Sequence, residues 1–200
     1  MSDLNLDPST TALIVIDLQR GIVAREAAPH SAADVVTRCA KLAKAFRHAG
    51  ALVVLVHVGF SDDDRDRLKP TADAAPPAMK LTADWSTLVP ELDQQSTDIV
   101  ILKRQWGAFY GTQLDMQLRR RGIKTLVYGG IATNFGVEST ARDAYERGFE
   151  QVFVEDAMSG LTEGAHTFAI TTIFPRMGRV RSTEEVLAAL RARDQSPTML

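Results

Sequence analysis

The chain has 200 residues, a formal net charge of −2 and a single cysteine, Cys39. That length suits one domain spanning residues 1–200, and the near-neutral balance gives no footprint for nucleic acid or an anionic membrane surface. A lone cysteine excludes an intrachain disulfide and a CxxC site, and no apolar run reaches the roughly 20 residues that span a bilayer.

Apolar runs of strand length alternate with stretches of helical period along the chain. Thr11 to Ile16 reads as a buried strand ending at Asp17. Val35, Val36, Cys39, Leu42, Ala43 and Phe46 recur at helical spacing, with Gly50 as the stop. Ala51 to Val58 and Asp98 to Leu102 form the second and third strands. Thr112 caps a helix that runs to Arg121 and is ended by Gly122, and a fourth strand covers Thr125 to Tyr128. A helix from Val137 to Arg147 stops at Gly148, before a strand at Gln151 to Val154. A helix over about 162–173 and a short strand over about 178–181 follow. Ser182-Thr183-Glu184-Glu185 is a capping box for the last helix. Continuous apolar strands in β-α units predict a parallel six-stranded sheet in a three-layer α/β/α sandwich.

Residues 59–97 break the alternation, being longer than an ordinary connection and rich in Asp, Ala and Pro. Trp85 and Leu88 predict that this segment folds down as a lid, or as an arm reaching a neighbouring subunit. The N-terminus carries no basic-then-apolar signal pattern, so a cytoplasmic protein is expected. The basic runs Arg119 to Arg121 and Arg176 to Arg181 are short and read as helix-terminal or solvated charges.

In open parallel sheets, ligands sit beyond the carboxyl ends of the strands. Asp17, His57, Lys103 and the turn Thr133-Asn134-Phe135-Gly136 each follow or end a strand, so all reach one edge of the sheet. Asp17 either caps the next turn or serves as a catalytic acid. Lys103, at the end of an apolar strand, needs a carboxylate or a bound anion unless it snorkels to water. His57 lies in an apolar run and reads either as a satisfied core residue or as a ligand contact. Trp106, Phe109, Tyr110 and Phe135 either wall a pocket for a small molecule or pack as ordinary core. His30, His48 and His166 are scattered without ligand spacing, so neither a metal centre nor any cofactor is expected. Dinucleotide, Walker A, H-E-x-x-H and G-x-S-x-G signatures are absent.

Three segments, in order, resemble the isochorismatase-like hydrolases: Thr11 to Gln19, Lys103 to Thr112, and Gly130 to Ala144. The resemblance covers nearly the whole chain and implies a sheet of order 3-2-1-4-5-6 with a cis peptide at Ile131–Ala132. It also implies a homo-oligomer, dimer or larger, acting on a small-molecule substrate. It assigns Asp17 and Lys103 to catalysis, with Gly136 where most of the family carries its nucleophilic cysteine and Gly107 in place of a serine. Gln19, His57, Trp106, Phe109, Ala132, Thr133, Asn134 and Phe135 would contact substrate. Isochorismatases proper are similar in having Gly at the nucleophile position; they cleave a vinyl ether without a covalent intermediate, the Asp acting as general acid. Ala132-Thr133-Asn134, by contrast, resembles the cysteine amidase branch. Acid–base hydrolysis of a small anionic molecule, with isochorismate the leading substrate, is therefore expected. The alternatives are a catalytically silent binding protein and an amidase using another nucleophile, with Ser139 and Thr140 the nearest hydroxyls. An adjacent Lys103 ammonium is expected to lower the pKa of Asp17, against the needs of a general acid.

Overall fold

A computed structural model describes residues 4–74 and 81–194, with side chains through Leu190. Its six strands are β1 (Thr11–Ile16), β2 (Leu52–Val58), β3 (Ile99–Lys103), β4 (Thr125–Ile131), β5 (Glu150–Ser159) and β6 (Arg179–Arg181). They form one sheet of order β3-β2-β1-β4-β5-β6, and every neighbouring pair is parallel. The helices are α1 (Arg20–Val23), α2 (Ala32–His48), α3 (Leu114–Arg120), α4 (Glu138–Glu146), α5 (Glu163–Phe168) and α6 (Thr183–Asp194).

Side-chain alternation along β1 builds both covered faces. Leu13 and Val15 pack with α2 through Val35, Cys39, Leu42 and Phe46, and with α6 through Val186 and Leu190. Ile14 and Ile16 pack on the other face with Leu114 and Leu118 of α3, Ala141 and Ala144 of α4, and Phe174. All six residues of β1 are buried, as a central parallel strand requires. Ser31 caps α2 by accepting from Asp34 N at 3.1 Å, and Gly50, at φ 72°, carries the chain out of it. Ser182 N donates to Glu185 Oε2 at 2.7 Å and Glu185 N to Ser182 Oγ at 3.3 Å, which closes the capping box of α6.

The structure extends one expected strand, adds a turn before one expected helix, and folds part of the long connection down onto the chain. β5 continues to Ser159 because a bulge lets it rejoin β4, with Tyr128 facing Phe153 but Gly130 facing Met158. The helix expected from Val137 is preceded by a π turn over Thr133–Val137. In the long connection, Thr82 to Leu92 folds back onto its own chain. Arg20 N donates to Thr87 O at 2.9 Å, Gly21 N to Trp85 O at 3.0 Å and Val89 N to Leu18 O at 3.1 Å.

Trp85 is buried and lies against bare Gly21, where a methyl group would sit 1.9 Å from Trp85 Cδ1. The crowding outweighs the helix propensity that alanine adds, so Gly21→Ala should cost about 1–3 kcal/mol. A lowered urea midpoint and a red-shifted tryptophan emission would report the undocked indole. An unchanged emission maximum would show that the ring does not rest on this glycine.

Candidate active site

The strand order reverses between β1 and β4, and ligand crevices in such sheets open at that point. The register sets Ile16 beside Val56 and Gly130, and Val58 beside Lys103, so the strands end level there. Asp17 leaves β1 at φ 54°, a left-handed conformation that non-glycine residues adopt at a cost. Its N–H donates to Val56 O at 2.8 Å and its carbonyl accepts from Gln19 N at 2.8 Å, which holds that conformation.

Asp17 Oδ2 stands 2.9 Å from Lys103 Nζ, and both side chains are buried. Lys103 Nζ also donates to Trp106 O, which uses two of its three protons. Asp17 Oδ1 is buried without a hydrogen-bond partner. Burial raises the Asp17 pKa more than Lys103, by charge and hydrogen bond, lowers it; His57 lowers it slightly. The expected downward shift is thus reversed, because desolvation of a buried carboxyl outweighs a single neighbouring ammonium.

Gly136 completes the cluster from the π turn that follows β4. A methyl group there would lie 2.9 Å from Ile16 Cγ2, 3.0 Å from Asp17 Oδ2 and 3.2 Å from Lys103 Nζ. The bond between Ile131 and Ala132, just before this turn, is cis. Cys39 lies on the α2 face of the sheet, where its Sγ donates to Ala157 O at 3.3 Å and burial pushes the thiol pKa well up. Thr140 Oγ1 is committed, donating to Gly136 O at 2.6 Å and accepting from Ala108 N at 3.1 Å.

The other sequence-derived residues divide into two groups. Asn134 carries a buried Oδ1 without a partner, and Phe135 meets the Trp106 ring at 4.9 Å between centroids. Trp106 is 63% exposed, and Ala132 and Thr133 line the start of the turn. Gln19 and Phe109 are instead committed to the framework. Gln19 Nε2 donates to Val58 O at 2.9 Å and Trp85 O at 3.2 Å, and its Oε1 accepts from Val58 N at 2.8 Å. Phe109 is buried against Phe149 with the Arg147 guanidinium over its ring. His57 Nδ1 lies 2.8 Å from Ser86 O and 3.0 Å from Ser86 Oγ, linking β2 to the folded-back connection.

His166, on α5, was not singled out by sequence pattern; it is isolated along the chain yet buried with Nδ1 2.9 Å from Thr133 Oγ1. A cavity of about 360 Å³ lined by Pro8, Arg47, Leu52 and Asp98 opens at the opposite edge, by the strand N-termini, and touches none of these groups. Among the described residues, His30, Glu155 and His166 form the one group of side chains suited to a metal ion, separate from the acid–amine pair.

A doubly covered parallel sheet with a desolvated carboxyl and ammonium at its switch point has the architecture of an α/β protein whose site lies at the carboxyl ends of its strands. An isochorismatase domain pattern matches residues 11–185, and the chain belongs to the isochorismatase family of hydrolases. It is 52% identical over 187 residues to the isochorismatase family protein YecD of Escherichia coli O157:H7, covering 94% of this chain and all of that one. It is 34% identical over 215 residues to the ureidoacrylate amidohydrolase RutB of Methylorubrum extorquens, covering 94% of this chain and 86% of the relative. The solved structure of an isochorismatase family protein from Burkholderia thailandensis superimposes with a TM-score of 0.90 at 48% identity, covering 95% of this chain and all of that one.

Asp17→Asn keeps the side chain's size and removes its titration. The raised Asp17 pKa means the native state holds a proton that the unfolded chain has lost above about pH 4. Its contribution is therefore present at low pH and lost as pH rises through the folded-state pKa. Urea midpoints from pH 4 to 8 should show wild-type stability falling relative to Asp17→Asn over that interval. Parallel curves would show that the carboxyl titrates like an exposed one.

Proposed function

We propose that this isochorismatase-family hydrolase cleaves a small anionic vinyl ether of the isochorismate type by acid–base catalysis, without a covalent intermediate. One observation carries the proposal: a desolvated carboxyl with an unpartnered oxygen faces a position, Gly136, that offers no nucleophile. Burial favours the protonated form of Asp17, the form a general acid requires.

Asp17 Oδ1 delivers its proton to the methylene carbon of the enol ether, generating an oxocarbenium ion. Lys103 holds Oδ2, so that the other oxygen points to substrate, and its remaining N–H faces the substrate carboxylate. Water adds to the cation, one of its protons returning to the Asp17 carboxylate, and the hemiketal collapses to an alcohol and pyruvate as its hydroxyl proton passes to the leaving oxygen. Asn134 Oδ1 receives a substrate hydroxyl, and Trp106, Phe135, Ala132, Thr133 and His57 wall the ring. Gln19 and Phe109 act by positioning. The same proposal takes residues 1–200 as one domain, with the described parts of the 59–97 connection closing over the β2 side of the site; residues 75–80 lie outside the described residues. It places the enzyme in the cytoplasm as a homo-oligomer that covers Trp106 and Tyr110.

Asp17→Asn should lower kcat for isochorismate by about 10²–10⁴-fold. For the wild type, kcat/KM should fall as pH rises through the raised Asp17 pKa. Pyruvate release measured by coupled lactate dehydrogenase reads both, and equal rates in the two proteins would remove Asp17 from the chemistry.

The likeness to RutB favours a second reading, hydrolysis of a carbamoyl or amide bond. With no thiol at position 136 and Thr140 committed, water would attack directly, with Asp17 as base. Ammonia released from ureidoacrylate, with no pyruvate from isochorismate, would select this reading. Binding of either compound without turnover, seen as a Tm rise with the ligand recovered unchanged, would mark a silent binding protein.

A further inference from the structure

We propose that His30, Glu155 and His166 form a binding site for a divalent transition-metal ion of the zinc class, distinct from the acid–amine pair. Three separate parts of the chain deliver these side chains: the loop before α2, the bulge of β5, and α5. One ligand atom from each lies within 4.8 Å of the other two. Glu155 Oε1 stands 2.9 Å from His30 Nε2 and 3.5 Å from His166 Nε2. Bonds of about 2.0–2.1 Å in a tetrahedron set ligand atoms roughly 3.3–3.4 Å apart, so both separations bracket the spacing a zinc-sized ion imposes. His30, with a side chain 24% exposed, is free to adjust toward the ion, whereas His166, 3% exposed, is fixed.

His166 supplies the second observation. Its Nε2 is buried and has no hydrogen-bond partner, although Glu155 lies just beyond hydrogen-bond geometry. Buried imidazole nitrogens are ordinarily satisfied. Thr133 Oγ1 lies 2.9 Å from Nδ1, and in the tautomer that carries its proton on Nδ1 the Nε2 lone pair is directed at the cluster. That is the outer-shell hydrogen bond that orients metal-bound histidines.

The backbone around the ligands is already set. Ala28 and Gly160 exchange hydrogen bonds of 3.0 Å in each direction, and His30 N donates to Ser159 Oγ at 3.2 Å. Two imidazoles and a carboxylate suit zinc and its first-row neighbours rather than calcium or magnesium. Glu155, 37% exposed at its side chain, leaves a coordination position toward solvent for water. A bound ion would tie residues 28–30, β5 and α5 to Thr133 at the base of the catalytic turn, which makes it a positioning element.

The test needs no substrate. Chelator-treated protein is titrated with zinc chloride by calorimetry and with cobalt chloride by visible absorption. One equivalent should bind, raise Tm, and give cobalt the intense ligand-field bands of a low-coordinate nitrogen–oxygen site. His30→Gln and Glu155→Gln should each weaken zinc binding by at least the roughly 10–100-fold that loss of even an outer-shell partner costs. Both side chains are partly exposed, so these variants test the site even if His166→Asn fails to fold. Wild-type protein that binds no stoichiometric zinc, or variants that bind it as tightly as wild type, would overturn the site and leave only a hydrogen-bonded triad.

Discussion

A carboxyl and an ammonium 2.9 Å apart, both out of water, are the constraint around which this molecule is organised. Taking a carboxyl and an ammonium out of solvent penalises their charged forms, and here burial outweighs the attraction of Lys103 and raises the Asp17 pKa. Much of the surrounding framework supplies the geometry of the pair. The left-handed backbone of Asp17 is held by β2 and by Gln19 N, and Lys103 is oriented by the Trp106 carbonyl. Gln19, two residues beyond Asp17, binds the end of β2 to the Trp85 segment.

The bare α-carbon of Gly136 acts within the same constraint. Ile16, Asp17 and Lys103 approach it so closely that even a methyl group would press on all three. The space that a larger side chain would take is filled by the acid and the amine themselves. Asp17 Oδ2 and Lys103 are therefore close polar neighbours, while Asp17 Oδ1 is left buried without a hydrogen-bond partner.

Much of this was legible in the residues. The continuous apolar runs before Asp17 and Lys103 identify buried parallel strands, and strands of equal phase must deliver both side chains to one edge. What pattern does not carry is desolvation: a neighbouring lysine is visible in sequence, while the enclosure that overrides it is a property of three dimensions. The same limit hid the framework roles of Gln19 and Phe109, whose partners Val58, Trp85 and Phe149 lie tens of residues away. α1 spans only four residues, too few for a helical period, and the Glu155-Asp156 pair interrupts the apolar run that would have shown β5 to its end. His166 gave no signal, because its partners Thr133 and Glu155 are adjacent only once β4 and β5 pair.

The bulge in β5 turns two consecutive acids toward different tasks. Glu155 meets His30 and His166, while Asp156 Oδ1 accepts from Thr183 N at 2.7 Å and from Thr183 Oγ1 at 2.9 Å at the start of α6. One irregular stretch of strand thus fastens the loop before α2 with one carboxylate and the final helix with the next. Deleting a single residue within it would exchange those orientations and unlatch both ends of the chain together, so the spacing along this strand carries as much information as its chemistry.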